Sequence, residues 1–158
     1  MKITVAAIGK LKESYLRAGC AEYVKRLKPY CSMNVVELPE EKLANDSNAA
    51  CALTLNREVE RLAGQIKKGD FAVALDVAGR RLSSPDLAAL LAQKALKGES
   101  NFVFLLGGAY GLSDKARALS NLVLSLSDLT FTHQLARLIL LEQLYRAFKI
   151  NSGEKYHN

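Results

Sequence analysis

Two short runs in this chain are apolar without a polar alternate: Phe71-Ala72-Val73-Ala74-Leu75, and Phe102 to Leu106 following Asn101. A strand with one face in water alternates apolar and polar side chains; a strand covered on both faces does not. These runs therefore demand helices above and below a sheet. The rest of the chain supplies them. Leu16, Cys20, Tyr23, Val24 and Leu27 fall at helical spacing between Ser14 and Lys28, where Pro29 stops the pattern. Leu55, Val59, Leu62 and Ile66 form a second stripe between about Ala49 and Lys68. Strands are expected at 3–9, 33–38 and 122–126 as well. A third helix is expected from Ser84, with that Ser as N-cap and Pro85 and Asp86 in its first turn. A short helix capped by Ser113 should run to about Ser120, and a final helix from His133 to Ile150. Strand and helix alternate throughout, with a polar loop at 39–48. The pattern predicts an α/β fold with a mostly parallel sheet flanked by helices, and one domain over residues 1–158.

Charge and composition narrow the partners. The net charge is +6, and 12 of the 22 Lys and Arg precede Gly69, so the positive charge is spread over the body. That favours a folded surface meeting a polyanion over a basic disordered arm. No run approaches the roughly 18 apolar residues of a membrane span, and Met1-Lys2-Ile3-Thr4-Val5 reads as a first strand rather than a leader. A cytoplasmic protein is expected, with no membrane partner. Three cysteines, Cys20, Cys31 and Cys51, lack CxxC spacing, and only two histidines are present. Buried thiols and no metal site are expected.

In parallel sheets ligands bind beyond the carboxyl ends of the strands. Three such ends stand out: Leu75-Asp76, Leu106-Gly107-Gly108 and the segment Leu126 to Phe131. The turn Gly107-Gly108-Ala109-Tyr110-Gly111 is neither a P-loop nor a dinucleotide fingerprint. It reads equally as a tight strand-to-helix turn or as a place where a ligand meets backbone. The segment from Ser125 to Phe131 is irregular, and its backbone groups need partners. They could hold a neutral adenine between Leu side chains, or the segment could simply lead into a helix capped by Thr132.

The final helix carries Leu135, Leu138, Ile139, Leu140, Leu141, Leu144, Tyr145 and Phe148, far more than one apolar stripe. One side should face the sheet and another a second subunit. Glu142 and Arg146 form an i,i+4 pair on the remaining face. Both histidines, His133 and His157, lie beyond Asn121, and the closing Lys155-Tyr156-His157 suggests a docked tail. No Ser-His-Asp triad, carboxylate pair or metal-ligand set is evident, which disfavours hydrolysis by those routes.

Gly-Gly-Ala-Tyr-Gly-Leu after an apolar strand, the stretch LSLSDLTFTHQLARLILLEQLYRAFKI and the closing GEKYH together resemble the ribosomal RNA large subunit methyltransferase H family, small enzymes of the SPOUT class. The resemblance extends to the Met-Lys-Ile-Thr start, the IGKLKE turn and the SSPDLA helix start. It implies a C-terminal trefoil, or α/β, knot and a homodimer. It also implies transfer of a methyl group from S-adenosyl-L-methionine to N3 of a pseudouridine in 23S ribosomal RNA, on the ribosome. The cofactor positions it implies are Leu75, Gly107, Leu126, Ser127, Asp128, Leu129, Thr130 and Phe131. Tyr156, His157, His133 and Arg146 are the candidates for work on the target base. Arg137, Lys10, Lys12, Arg17 and Lys25 are the candidates for RNA contact. The chain departs from the family at Ala109-Tyr110, where Pro-Glu is frequent, and at Thr132, where Pro is frequent. Two other readings stay open: a methyltransferase for another RNA such as transfer RNA, and a basic RNA- or ribosome-binding module without catalysis.

Overall fold

The computed structural model describes residues 1–43, 45 and 47–154. Its elements are β1 (Lys2–Ile8), α1 (Ser14–Leu27), β2 (Ser32–Leu38), α2 (Asn48–Ala63) and β3 (Phe71–Arg81). There follow α3 (Ser84–Leu96), β4 (Asn101–Leu106), α4 (Asp114–Ala118), β5 (Leu122–Ser125) and α5 (His133–Asn151). The strands form one sheet in the order β2-β1-β4-β3-β5, and every pair is parallel. All five strands therefore end at the same edge.

The unbroken apolar runs follow from two cores. Ile3, Val5 and Ala7 of β1, Phe71 and Val73 of β3, and Phe102, Phe104 and Leu106 of β4 share one face with buried residues of α1, α3 and α5. Ala6, Ile8, Ala74, Val103 and Leu105 feed the other, against Val59 and Leu62 of α2 and Ala116 of α4. Successive side chains thus point into different cores, and no position is left for a polar residue. Phe104 is 1% exposed; its truncation to Ala should cost about 3–5 kcal/mol.

Several boundaries differ from expectation, three of them with a physical reason. The N-cap of α3 is Ser83, not Ser84: its side chain accepts from Asp86 N while Asp86 accepts from Ser83 N, each at 3.2 Å. A capping box needs its acid three residues on, and that spacing selects Ser83. The α2 helix stops at Ala63, and Gln65 and Ile66 continue only as i−3 turns. The β3 strand continues past Leu75 to Arg81 after a register shift against β5.

The apolar excess of α5 is largely consumed within the chain. Leu138 packs against Gly19 of α1, Tyr145 meets the rings of Tyr23 and Tyr30 at an angle, and Phe148 stacks on Tyr30, at centroid distances of 5.9–6.1 Å. Ser84 of α3 donates to Gln143 at 2.6 Å, and Asn151 donates to Ala88 O at 2.9 Å. Helices α1 and α3 embrace α5 from both sides, so its periodicity does not by itself require a second subunit.

Candidate active site

A cavity of about 760 Å³ opens at the common strand edge, within the roughly 300–1,000 Å³ of small-molecule sites. Its walls are the three strand ends picked from the sequence. Leu75 and Asp76 come from β3, Leu106, Gly107 and Gly108 from β4, and Leu126, Ser127, Leu129, Thr130 and Phe131 from the β5–α5 connection. His133 closes one side from the first turn of α5. The start of α1 adds Glu13, Tyr15 and Leu16, which no periodicity could place there.

The glycine turn is built around its own backbone. A first side-chain carbon on Gly107 would stand 2.1 Å from the Gly111 carbonyl oxygen. Gly111 in turn has φ +75°, and its N–H donates to Gly108 O at 3.1 Å. Gly107 is thus required for closure of the turn, and the space beside its α-carbon is filled by Gly111. Asp76 organises the neighbouring wall. Its carboxylate accepts from Ala78 N at 2.9 Å and from Arg117 Nη1 at 2.6 Å, tying β3 to α4.

The 126–131 segment follows the end of β5 and lies outside its ladder. Its internal bonds are local: Ser125 Oγ donates to Ser127 O at 2.9 Å, and Leu129 N donates to Ser127 Oγ at 3.0 Å. A segment outside the strand ladder can present its amides and carbonyls to a ligand, and Leu75, Leu106, Leu126 and Leu129 supply apolar cover. Asp128 is the exception among the expected cofactor residues. It does not line the cavity, and its carboxylate, 69% exposed, accepts from Arg81 at 2.6 Å.

His133 is half-buried. Burial lowers its pKa, the Glu40 carboxylate pulls it back up, and Arg137 and Lys12 push it down. Thr132, immediately before it, caps α5 by accepting from Leu135 N at 3.3 Å.

The expected RNA contacts divide. Lys10, Lys12, Arg17 and Lys25 are exposed. Arg17 also donates to the carbonyls of Leu11 and Lys12, and Lys12 N donates to Gln134, which ties the β1–α1 loop to α5. Arg137 is not a surface cation, and that expectation is corrected. It is 1% exposed, and it donates to Glu37 at 2.5 Å and to Gly9 O at 2.9 Å. A phosphate cannot reach it. Arg146 holds Glu142 at 2.7 Å, as the spacing suggested. It lies 13 residues beyond His133, about 20 Å along the helix axis. Tyr156 and His157 lie outside the described residues.

No helix among the described residues is long and apolar enough to cross a membrane. Nor does any group of three His, Cys, Asp or Glu among them have the arrangement to hold a metal.

Comparison with known proteins gives the family. Over residues 1–157 the chain matches the family model described as a predicted SPOUT methyltransferase. It is 48% identical over 158 residues to ribosomal RNA large subunit methyltransferase H of Halothermothrix orenii, covering 99% of both chains. It is 49% identical over 156 residues to the protein of that name from Pelotomaculum thermopropionicum, covering 98% of both. A Legionella pneumophila structure, described as a methyltransferase with bound SAM, superposes with a TM-score of 0.52 at 11% identity, over 96% of this chain and 66% of that one. That likeness speaks for the fold alone. With a family model spanning nearly its whole length and full-length relatives near half identity, the chain belongs to the SPOUT methyltransferase family.

Proposed function

We propose that this protein methylates N3 of a pseudouridine in 23S ribosomal RNA, taking the methyl group from S-adenosylmethionine. The observation that carries the reading is the cavity at the shared strand edge, walled by Leu75, the Gly107 turn and the 126–131 segment. The SPOUT fold implies a C-terminal α/β knot, in which the segment after β5 is held against the sheet to make such a pocket.

S-adenosylmethionine bound there supplies an electrophilic methyl group on a sulfonium. The chain's own residues hold the adenosine with the 126–131 backbone and its leucines, exclude water, and align the target nitrogen. Alignment alone can supply much of the barrier reduction. The N3 proton must also leave, and His133 at the cavity wall is the base within the described residues. Burial lowers its pKa, which favours the neutral imidazole able to accept a proton. Lys10, Lys12, Arg17 and Lys25 give the exposed positive surface for phosphates.

The reading includes a homodimer with shared sites. Helix α5 has 19 residues, a length of about 28 Å. His133 opens it, whereas Tyr156 and His157 follow its far end. Glu154 N donates to Lys149 O, about 24 Å along the axis from His133, and the three residues from Lys155 to His157 reach at most about 11 Å. One chain's tail therefore falls short of its own His133, and so Tyr156, His157 and Arg146 serve the cavity of a second copy. Tyr15, Val77 and Leu129, at 65–70% exposed, give that cavity an apolar rim for the second copy to cover. The site of action is the cytoplasm, where ribosomes are.

The test is methyl incorporation from labelled S-adenosylmethionine into ribosomes, naked 23S ribosomal RNA and transfer RNA, with the product nucleoside identified by mass. Methylpseudouridine formed on ribosomes is expected. Preferential labelling of transfer RNA would replace the substrate. Tight RNA binding with neither cofactor binding nor turnover would leave a binding module.

A further inference from the structure

We infer that Glu40 is a positioning residue for the proton acceptor, its carboxylate facing the His133 imidazole across a notch kept open by Gly9. The inference rests on the methyl-transfer reading above. Glu40 Oε2 and His133 Nε2 each lie 3.8 Å from the point where a side-chain carbon on Gly9 would stand. The two groups are thus within twice that distance of each other. Gly9 has φ +84°, so nothing but hydrogen occupies the gap. The other oxygen of Glu40 comes 3.7 Å from the corresponding point on Gly108, in the cavity wall. The carboxylate therefore spans the ends of β1 and β4, beside the cavity.

This placement is built, not incidental. Arg61 of α2 donates to Pro39 O at 2.8 Å and to Glu41 at 2.5 Å, and Arg57 donates to Glu41 at 3.0 Å. Glu58, 4% exposed, accepts from Glu41 N at 3.0 Å. Both neighbours of Glu40 are anchored to α2, which fixes where Glu40 can project.

The charged groups acting on His133 are Glu40 from the β2–α2 connection, Lys12 from the β1–α1 loop and Arg137 on its own helix. Glu40 is the only anion among them. In the transfer step the N3–H proton passes to the His133 imidazole and the N3 lone pair forms the bond to the methyl carbon. The carbon–sulfur bond breaks with its electron pair left on sulfur. The imidazolium so formed gains from the Glu40 charge, and without it His133 is a weaker base.

The experiment is Glu40→Gln, read first without substrate. NMR titration follows His133, assigned by its loss in His133→Asn. Its pKa is expected to fall by about one unit, the size of one nearby charge in a half-wet site. The rising limb of the methyl-transfer pH profile should move down with it, and the plateau should fall about tenfold. Glu40→Asp should recover part of both, with S-adenosylmethionine affinity unchanged throughout. A His133 pKa that ignores Glu40→Gln overturns the inference, as does a tenfold loss of cofactor affinity in that variant. Wild-type protein inactive on ribosomes overturns the functional reading instead, and the titration separates the two.

Discussion

Arg137 and Glu37 meet at 2.5 Å, although 100 residues separate them in sequence. The guanidinium also holds the Gly9 carbonyl, and Glu37 accepts from Leu11 N at 3.1 Å. One ion pair thus fastens the end of β1, the loop after it and the first turns of α5. That junction carries His133 on one side and Lys12 on the other.

Arg137→Met should therefore destabilise the fold without altering RNA affinity directly. Breaking a fully buried pair costs about 3–5 kcal/mol. Glu37 is 34% exposed and can be rehydrated, so about 2 kcal/mol is expected here. Urea unfolding measures it. The salt dependence of RNA binding should keep its slope, because no phosphate contact is removed. A slope reduced by about one would restore Arg137 to the RNA interface.

Much of this was legible before any coordinates. The strands of β3 and β4 announce themselves because two cores leave them no polar position. The cavity follows, since a parallel sheet puts all its strand ends on one edge. Arg137 misleads because a cation on a helix is ordinarily at the surface; only partners far away in sequence, Glu37 on β2 and the Gly9 carbonyl, make its burial tolerable. Glu40 was invisible for a related reason. It sits in a polar stretch that reads as loop, and its position is set by Arg61 and Glu58 on a later helix. The α5 stripe was expected to face the sheet and a second subunit; within the chain α1 and α3 already cover much of it. Long-range pairings of this kind have no local signature.

Gly107→Ala should cost at least tenfold in S-adenosylmethionine affinity, measured by calorimetry. The added carbon would overlap Gly111, whose oxygen is 2.1 Å from it, and the turn must open and displace the cavity wall. Gly64→Ala is the contrast. Gly64 has φ −62° and nothing nearer than 3.5 Å to the new carbon. It should leave affinity unchanged and stability equal or up by about 0.4–1 kcal/mol. Equal affinities for the two variants would show that the turn has no part in the site.

The thiols should separate by burial. Cys31 is 8% exposed and burial pushes its pKa up to about 11; Cys20 is also buried and its pKa is raised by the same cause. Cys51 is half-buried near the start of α2. A thiolate is the reactive form. With a disulfide reagent at pH 8, native protein should show one fast thiol, Cys51, and two that react only on unfolding. Rapid labelling of Cys31 would mean that the end of α1 opens far more readily than its packing implies.

The tail can be tested without disturbing the body if the cut is placed after Glu154. That residue accepts from Tyr30 OH at 2.8 Å and pairs with Lys149, so it belongs to the fold. Deleting 155–158 should leave thermal stability and S-adenosylmethionine affinity as they are. Methyl transfer should fall by a hundredfold or more if Tyr156 and His157 handle the target base, since general acid–base groups contribute about 10²–10⁴. Reach then decides whose cavity they serve. A truncated chain keeps His133; a His133→Gln chain keeps its tail. Neither alone should turn over. Mixed and allowed to exchange, half of the dimers would be hybrids, each with one complete cavity, and about a quarter of wild-type activity should return. That recovery requires the tail of one copy to work at the His133 of another. A mixture no more active than its parts would place each tail at its own cavity, against the length of α5, or remove it from the reaction.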